Sequence, residues 1–208
     1  MGKDKIERIL GRRERKKKQT REALESAALR LFQRKGYDET TVEDITDSVD
    51  VSPRTFFRYF DSKEAVLFGD WRSGLERISE LILSRPPDEP PLRALFEAAL
   101  RFEELAGQQE ERLLMRHRLA SKSRRIGDYE RNVIVPEYER TISEALAQRL
   151  GVDPAADPRP DLIAAVAVGA WNAARKIWLQ GEGAVPMQEL LRQAFDLIAP
   201  GSGDAGEP

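Results

Sequence analysis

Arg54, Thr55, Phe57, Arg58 and Tyr59 crowd into one short stretch of this 208-residue chain, within TTVEDITDSVDVSPRTFFRYFDSK from Thr40 to Lys63. A guanidinium can meet guanine O6 and N7 bidentately, and a hydroxyl can reach a phosphate or a base edge. The chemistry these groups offer together is recognition of a DNA groove. Arg54, early in its helix, is the best placed to read a base directly, Thr55 suits a base edge or a thymine methyl, and Arg58 suits either base or backbone.

Local elements must present these groups on one surface. Thr41 and Asp44 have the spacing of a capping box, which predicts a helix starting at Val42, with Val42, Ile45 and Val49 as its apolar face. Asp50 interrupts that pattern. Ser52 is a good N-cap and Pro53 a good first helical residue, because a missing N–H costs nothing there. Phe56 and Phe60, four apart, point inward and leave the residues between them outside. Asp61 or Ser62 caps a further helix from Lys63 through Leu67, Trp71, Leu75, Ile78 and Ile82. Upstream, Leu24, Ala27, Ala28, Leu31 and Phe32 mark an amphipathic helix that stops at Gly36, and Tyr37 plugs the corner below. Three helices sharing one small core, the last outward-facing, form a helix-turn-helix unit.

Residues 20 to 68 resemble the DNA-binding domain of the TetR family of bacterial transcriptional regulators. The resemblance rests on the apolar first helix, KGYDETTVEDI, VSPRTFFRYF and DSKEAVL. It implies a homodimeric repressor that leaves a palindromic operator when a small molecule enters its C-terminal domain. By motif position it also implies DNA-backbone contacts from Thr41, Phe57, Tyr59 and Lys63, alongside Ser52 and Pro53 at the helix start. Phe57 stands where the family usually has tyrosine, and Asp50 where it commonly has glycine. Aspartate tolerates a left-handed turn better than most residues.

The net charge of −2 hides an asymmetry. Residues 1 to 21 carry ten Lys/Arg against three acids, a net +7, which leaves −9 on the remainder. Residues 1–19 are therefore expected to be a basic flexible arm that follows phosphates or enters a minor groove, or else a solubilising tail. There are no cysteines, so no disulfide or thiolate metal site is available. The basic N-terminus lacks the apolar stretch of a secretory signal, and the apolar run from Leu162 to Ala174 is too short to span a bilayer; a cytoplasmic location is expected.

Beyond residue 68 the chain reads as a helical array, giving an all-α fold of about nine helices with a C-terminal ligand-binding and dimerisation domain over 69–199 and a disordered tail over 200–208. Breaks are expected at the proline-rich 85–91, at Gly107–Gln108, at Gly127 and at 153–160. The helix from Asp161 is rich in alanine and must be covered on most sides. With the last helix, carrying Met187, Leu190, Leu191, Ala194, Phe195 and Ile198, it is expected to pair with a second copy across a two-fold axis. His117 is the single histidine, no glycine-rich phosphate loop occurs, and the pairs Glu103–Glu104 and Glu110–Glu111 read as ordinary solvated residues. No catalytic, metal or cofactor site is expected.

Trp71, Phe96, Phe102, Met115, Trp171 and Trp178 are more bulk than a plain dimeriser requires and, with Leu100 and Leu119, suit an apolar effector cavity, although core packing explains many of them singly. Segment order, with FGDWRSGLERISELILSRPPDEPPLRAL and WNAARKIWLQG, is similar to the mycofactocin-regulator-type subgroup, which implies acyl-CoA-like effectors. Arg116, Arg118, Lys122, Arg124 and Arg125 would then meet phosphates, although a solvated face is the plainer reading. Lipophilic cations are the rival ligands, and an effector-independent architectural protein is the alternative function.

Overall fold

The structure, a computed structural model, describes residues 3–69, 71–106, 110–120 and 122–199, with the side chains of 3–14, 106, 110–113 and 120 left aside. Among these the chain is all-helical, without strands. It divides into two compact units, one of residues 1–69 with 119–126, the other of 70–118 with 127–208. The expected breaks at Gly107–Gln108 and the expected tail lie outside the described residues.

The first unit opens with α1 (Lys3–Lys35), 33 residues long. The basic segment expected as a flexible arm is continuous with this helix. Arg, Lys, Glu, Gln, Leu and Ala dominate it, no proline occurs, and Gly11 alone disfavours the helix. Charge pairs one turn apart, Lys18–Glu22 and Arg21–Glu25, support its middle. Gly36 ends it at φ 93°, its N–H donating to the Phe32 carbonyl over 3.1 Å. Helices α2 (Val42–Asp47), α3 (Pro53–Phe57) and α4 (Lys63–Phe68) follow. Leu24, Ala28, Phe32, Ile45, Phe56 and Val66 form their buried centre, and the Phe56 and Phe60 rings lie 5.3 Å apart. The segment 119–126 contributes buried Leu119 and Ile126, and the Ser123 hydroxyl hydrogen-bonds the Asp38 carboxylate at 3.0 Å. The sequence alone places that segment in the domain expected over 69–199.

The long helix expected from Lys63 through Ile82 is two helices. Gly69 closes α4 at φ 61°, where a left-handed backbone suits glycine, and α5 (Trp71–Leu83) starts afresh.

The second unit contains α5, α6 (Pro91–Ala106), α7 (Glu110–Ala120, as far as Arg118), α8 (Arg124–Tyr129, from Gly127), α9 (Val135–Leu150), α10 (Arg159–Gln180) and α11 (Met187–Ile198). The break expected at Gly127 does not occur. Instead α8 passes through a π-helical turn, Glu130–Ile134, into α9. Pro136 cannot donate to the preceding turn and its ring crowds the carbonyl four residues back, which accounts for the widened turns just before it. One core gathers Ile78, Ile82, Leu95, Ile142, Leu146, Ala167, Val168 and Phe195, and another gathers Ala174, Trp178, Leu179, Leu190 and Leu191. Phe96 packs against both. Arg149 fastens the proline-rich loop by donating to the carbonyls of Arg85 and Glu89, each at 2.9 Å, and of Pro86.

Helix α10 is 22 residues long and, by length and composition alone, sufficient to cross a membrane, which corrects the shorter run counted from sequence. Its apolar character has a use in the fold. Ala164, Ala167, Val168, Ala174, Trp178 and Leu179 are buried in the two cores, while Leu162, Ala165, Val166, Gly169, Ala173 and Ile177 line an exposed face.

Candidate functional site

The outward surface of the first unit is set by two caps and one strained residue. Thr41 Oγ1 accepts from the Asp44 N–H at 3.0 Å while the Asp44 carboxylate accepts from the Thr41 N–H at 2.8 Å, the reciprocal capping box. Lys35 also donates to Asp44, at 2.6 Å; that bond first, and then the Thr41 bonds, pull the carboxyl down to about 2. Asp50 takes φ 52°, the left-handed conformation its position demands. Ser52 then caps α3, its hydroxyl accepting from the Thr55 N–H at 3.2 Å and meeting the Thr55 hydroxyl at 3.0 Å. Pro53 occupies the first turn.

The result is an exposed row. Phe56 is fully buried and anchors the helix, while Arg54, Phe57 and Arg58 are exposed and Thr55 and Tyr59 half-buried. Phe57 leaves 55% of its surface in solvent, which no packing argument explains. Arg58 lies 5.0 Å over the Tyr59 ring and donates to its hydroxyl at 3.3 Å. Thr41 is exposed on the same helix pair. Lys63 departs from expectation. Its ammonium donates to the carbonyls of Tyr37 and Thr40 at 2.7 and 2.8 Å and sits 4.1 Å from the Tyr37 ring centre, and partial burial lowers its pKa. Two of its three N–H donors therefore hold the α1–α2 corner.

In the second unit a partly open cavity of about 40 Å³ is lined by Ile78, Leu95, Ala99, Phe102, Tyr138, Ile142, Ala167, Val168, Trp171 and Phe195. That volume is well below the roughly 150 Å³ of a cavity that takes up benzene, so a ring-sized effector would have to displace wall side chains. Of the cavity residues expected from sequence, Phe102 and Trp171 line it. Trp178 is locked in the α10–α11 core, Phe96 stacks on Phe195 at 4.1 Å, Leu100 packs against that core, Leu119 falls in the first unit, and Met115 is half-buried on α7. Trp71 contributes its backbone, accepting from the Tyr138 hydroxyl at 3.4 Å. Gly74 packs against that same hydroxyl so closely that an added Cβ would overlap it.

Beside the cavity lies a polar cluster that sequence reading missed. Glu103, expected to be solvated, accepts from the Trp171 indole N–H at 2.7 Å, and burial raises its pKa despite that bond and the nearby Arg175. Arg175 pairs with Glu130 at 2.8 Å and lies 5.6 Å from the Trp171 ring centre, while Arg116 approaches the same Glu130 oxygen at 3.5 Å. The Arg175 Nε–H is buried with no acceptor among the described residues. Arg118 is engaged by Glu182 at 3.3 Å. The basic run read as one cluster is split, since Lys122, Arg124 and Arg125 belong to the first unit.

A helix-turn-helix with an exposed second helix, followed by an all-helical unit, defines a DNA-binding regulator as the class. Comparison with known proteins agrees. The model of bacterial regulatory proteins of the tetR family matches residues 24–68, and that of the MftR C-terminal domain matches residues 89–203. The chain is 36% identical to the HTH-type transcriptional regulator TcmR of Streptomyces glaucescens, over 81% of this chain and 76% of that one. It is 28% identical to the putative mycofactocin biosynthesis transcriptional regulator MftR of Mycobacterium tuberculosis, over 90% and 93%. The fold is also that of NalD, the secondary repressor of the MexAB-OprM multidrug efflux pump in Pseudomonas aeruginosa, with TM-score 0.53 and 18% identity over 88% of this chain and 95% of that one. The chain belongs to the TetR family of transcriptional regulators, which are not enzymes.

Proposed function

We propose that this protein is a cytoplasmic homodimeric repressor that holds a roughly palindromic operator until a small apolar effector enters the second unit. The observation that carries the reading is the pairing, in one chain, of an exposed Arg54–Tyr59 row with a separate aromatic-walled cavity backed by buried charge. Each α3 enters a major groove, with half-sites about one helical turn or slightly more apart. Arg54 reads a base, while Thr41, Phe57, Arg58 and Tyr59 hold the backbone. Dimerisation uses the exposed face of α10 together with α11, where Leu162, Ile177 and Leu197 expose 63%, 56% and 84% of their surfaces.

The subgroup resemblance in the sequence implies an acyl-CoA-like effector, but the charges favour an uncharged one. Arg116 is held beside Glu130, which Arg175 also engages, so it offers a phosphate little. The test is an operator selected from random duplexes, followed by anisotropy-monitored release with acyl-CoAs, lipophilic cations and neutral aromatic compounds. Release by neutral compounds alone is the expected outcome. If no class releases the operator or shifts the melting temperature, the protein is an effector-independent DNA binder.

A further inference from the structure

The polar cluster beside the cavity narrows the effector's chemistry, an inference that rests on the cavity being the effector site. Three charge classes can be compared. A carboxylate next to aromatic rings invites a cation, but that place is filled, since Arg175 lies on the Trp171 face and within Coulomb range of Glu103. A second cation would meet both Arg175 and Arg116. An anion fares no better, because Glu130 engages both guanidiniums and Glu103 adds like charge. What the cluster lacks is neutral hydrogen bonding. The buried Arg175 Nε–H has no acceptor among the described residues, and Glu103 takes its one described hydrogen bond from the Trp171 indole.

We infer that Glu103, Trp171 and Arg175 form a subsite for an uncharged effector with a flat apolar body and a hydroxyl at one end. The body replaces part of the cavity wall as Trp171 swings out, since about 40 Å³ is too little for a ring system. Swinging Trp171 breaks its bond to Glu103. The effector hydroxyl then donates to the freed carboxylate and can accept from Arg175 Nε. The indole N–H is a resident substitute for the effector's own donor.

Calorimetry on the full-length protein with four matched probes tests this: 2-naphthol, 2-methoxynaphthalene, 2-naphthylmethylammonium and 2-naphthoate. Naphthol should bind at least tenfold more tightly than the other three. Glu103→Leu should erase the preference for naphthol over its methyl ether while the ether still binds. Trp171→Phe, which keeps the carboxylate and removes the competing N–H, should widen that preference, and it serves where Glu103→Leu fails to fold. A charged probe ranking first, or equal binding by all four, overturns the inference and leaves the cavity reading intact. Binding by none of the four overturns both.

Discussion

Arg54 and Lys63 carry the same charge, yet their surroundings give them different work. Arg54 is exposed on α3 with room to meet a base, and Arg54→Ala should cost about 1–3 kcal/mol of operator affinity and relax one position in a binding selection. Lys63 was legible as a charge near DNA, but its two carbonyl acceptors belong to a corner 23 and 26 residues upstream, which no local pattern reveals. Glu103 makes the same point. Its position beside Glu104 suggested solvent, whereas its partner Trp171 lies 68 residues away. Because burial raises the Glu103 pKa, the folded chain holds that proton more tightly than the unfolded one. This group's contribution to stability therefore increases as pH falls through the raised value towards the ordinary glutamate range, and declines as pH rises. Urea midpoints measured across that window should lose this component in Glu103→Gln.

At the scale of elements, caps were the most legible features. Thr41 with Asp44, Ser52 with Pro53, and Gly36 each act through neighbours within a few residues, so sequence alone located α2, α3 and the end of α1. Failures came where an element's continuity depended on more than its ends. The basic segment lacks an apolar stripe but has strong helix formers, and its backbone continues α1. Gly127 spells a stop in the sequence although its neighbours sustain a helix, and the apolar pattern around Gly69 hides the break there. A basic helix at this position presents Lys16, Lys17 and Lys18 to solvent. Deleting residues 1–18 should weaken binding to all sequences alike and flatten the slope of log affinity against log salt, as fewer counterions are released. An unchanged slope in that titration would leave the segment without a DNA role.

For the molecule as a whole, the all-helical class and the family were legible because the helix-turn-helix is locally encoded. The cavity was not, since its walls come from α5, α6, α9, α10 and α11 and large side chains alone do not show which face which. The exposed stripe on α10 makes assembly testable. Ile177→Asp places charge on that face without touching either core, and sedimentation should show a folded monomer with much weaker operator binding. Gly74 bears on the signal state itself. Lacking a Cβ, it lets the Tyr138 hydroxyl sit against α5, and Tyr138 is a cavity wall. One added methyl, Gly74→Ala, would displace that ring and disturb the wall it forms beside Trp171. A reporter behind the operator should then be expressed without inducer. Under the proposed repressor reading, a single methyl group at position 74 would give constitutive expression while the fold, the operator and every DNA-facing residue stayed unchanged.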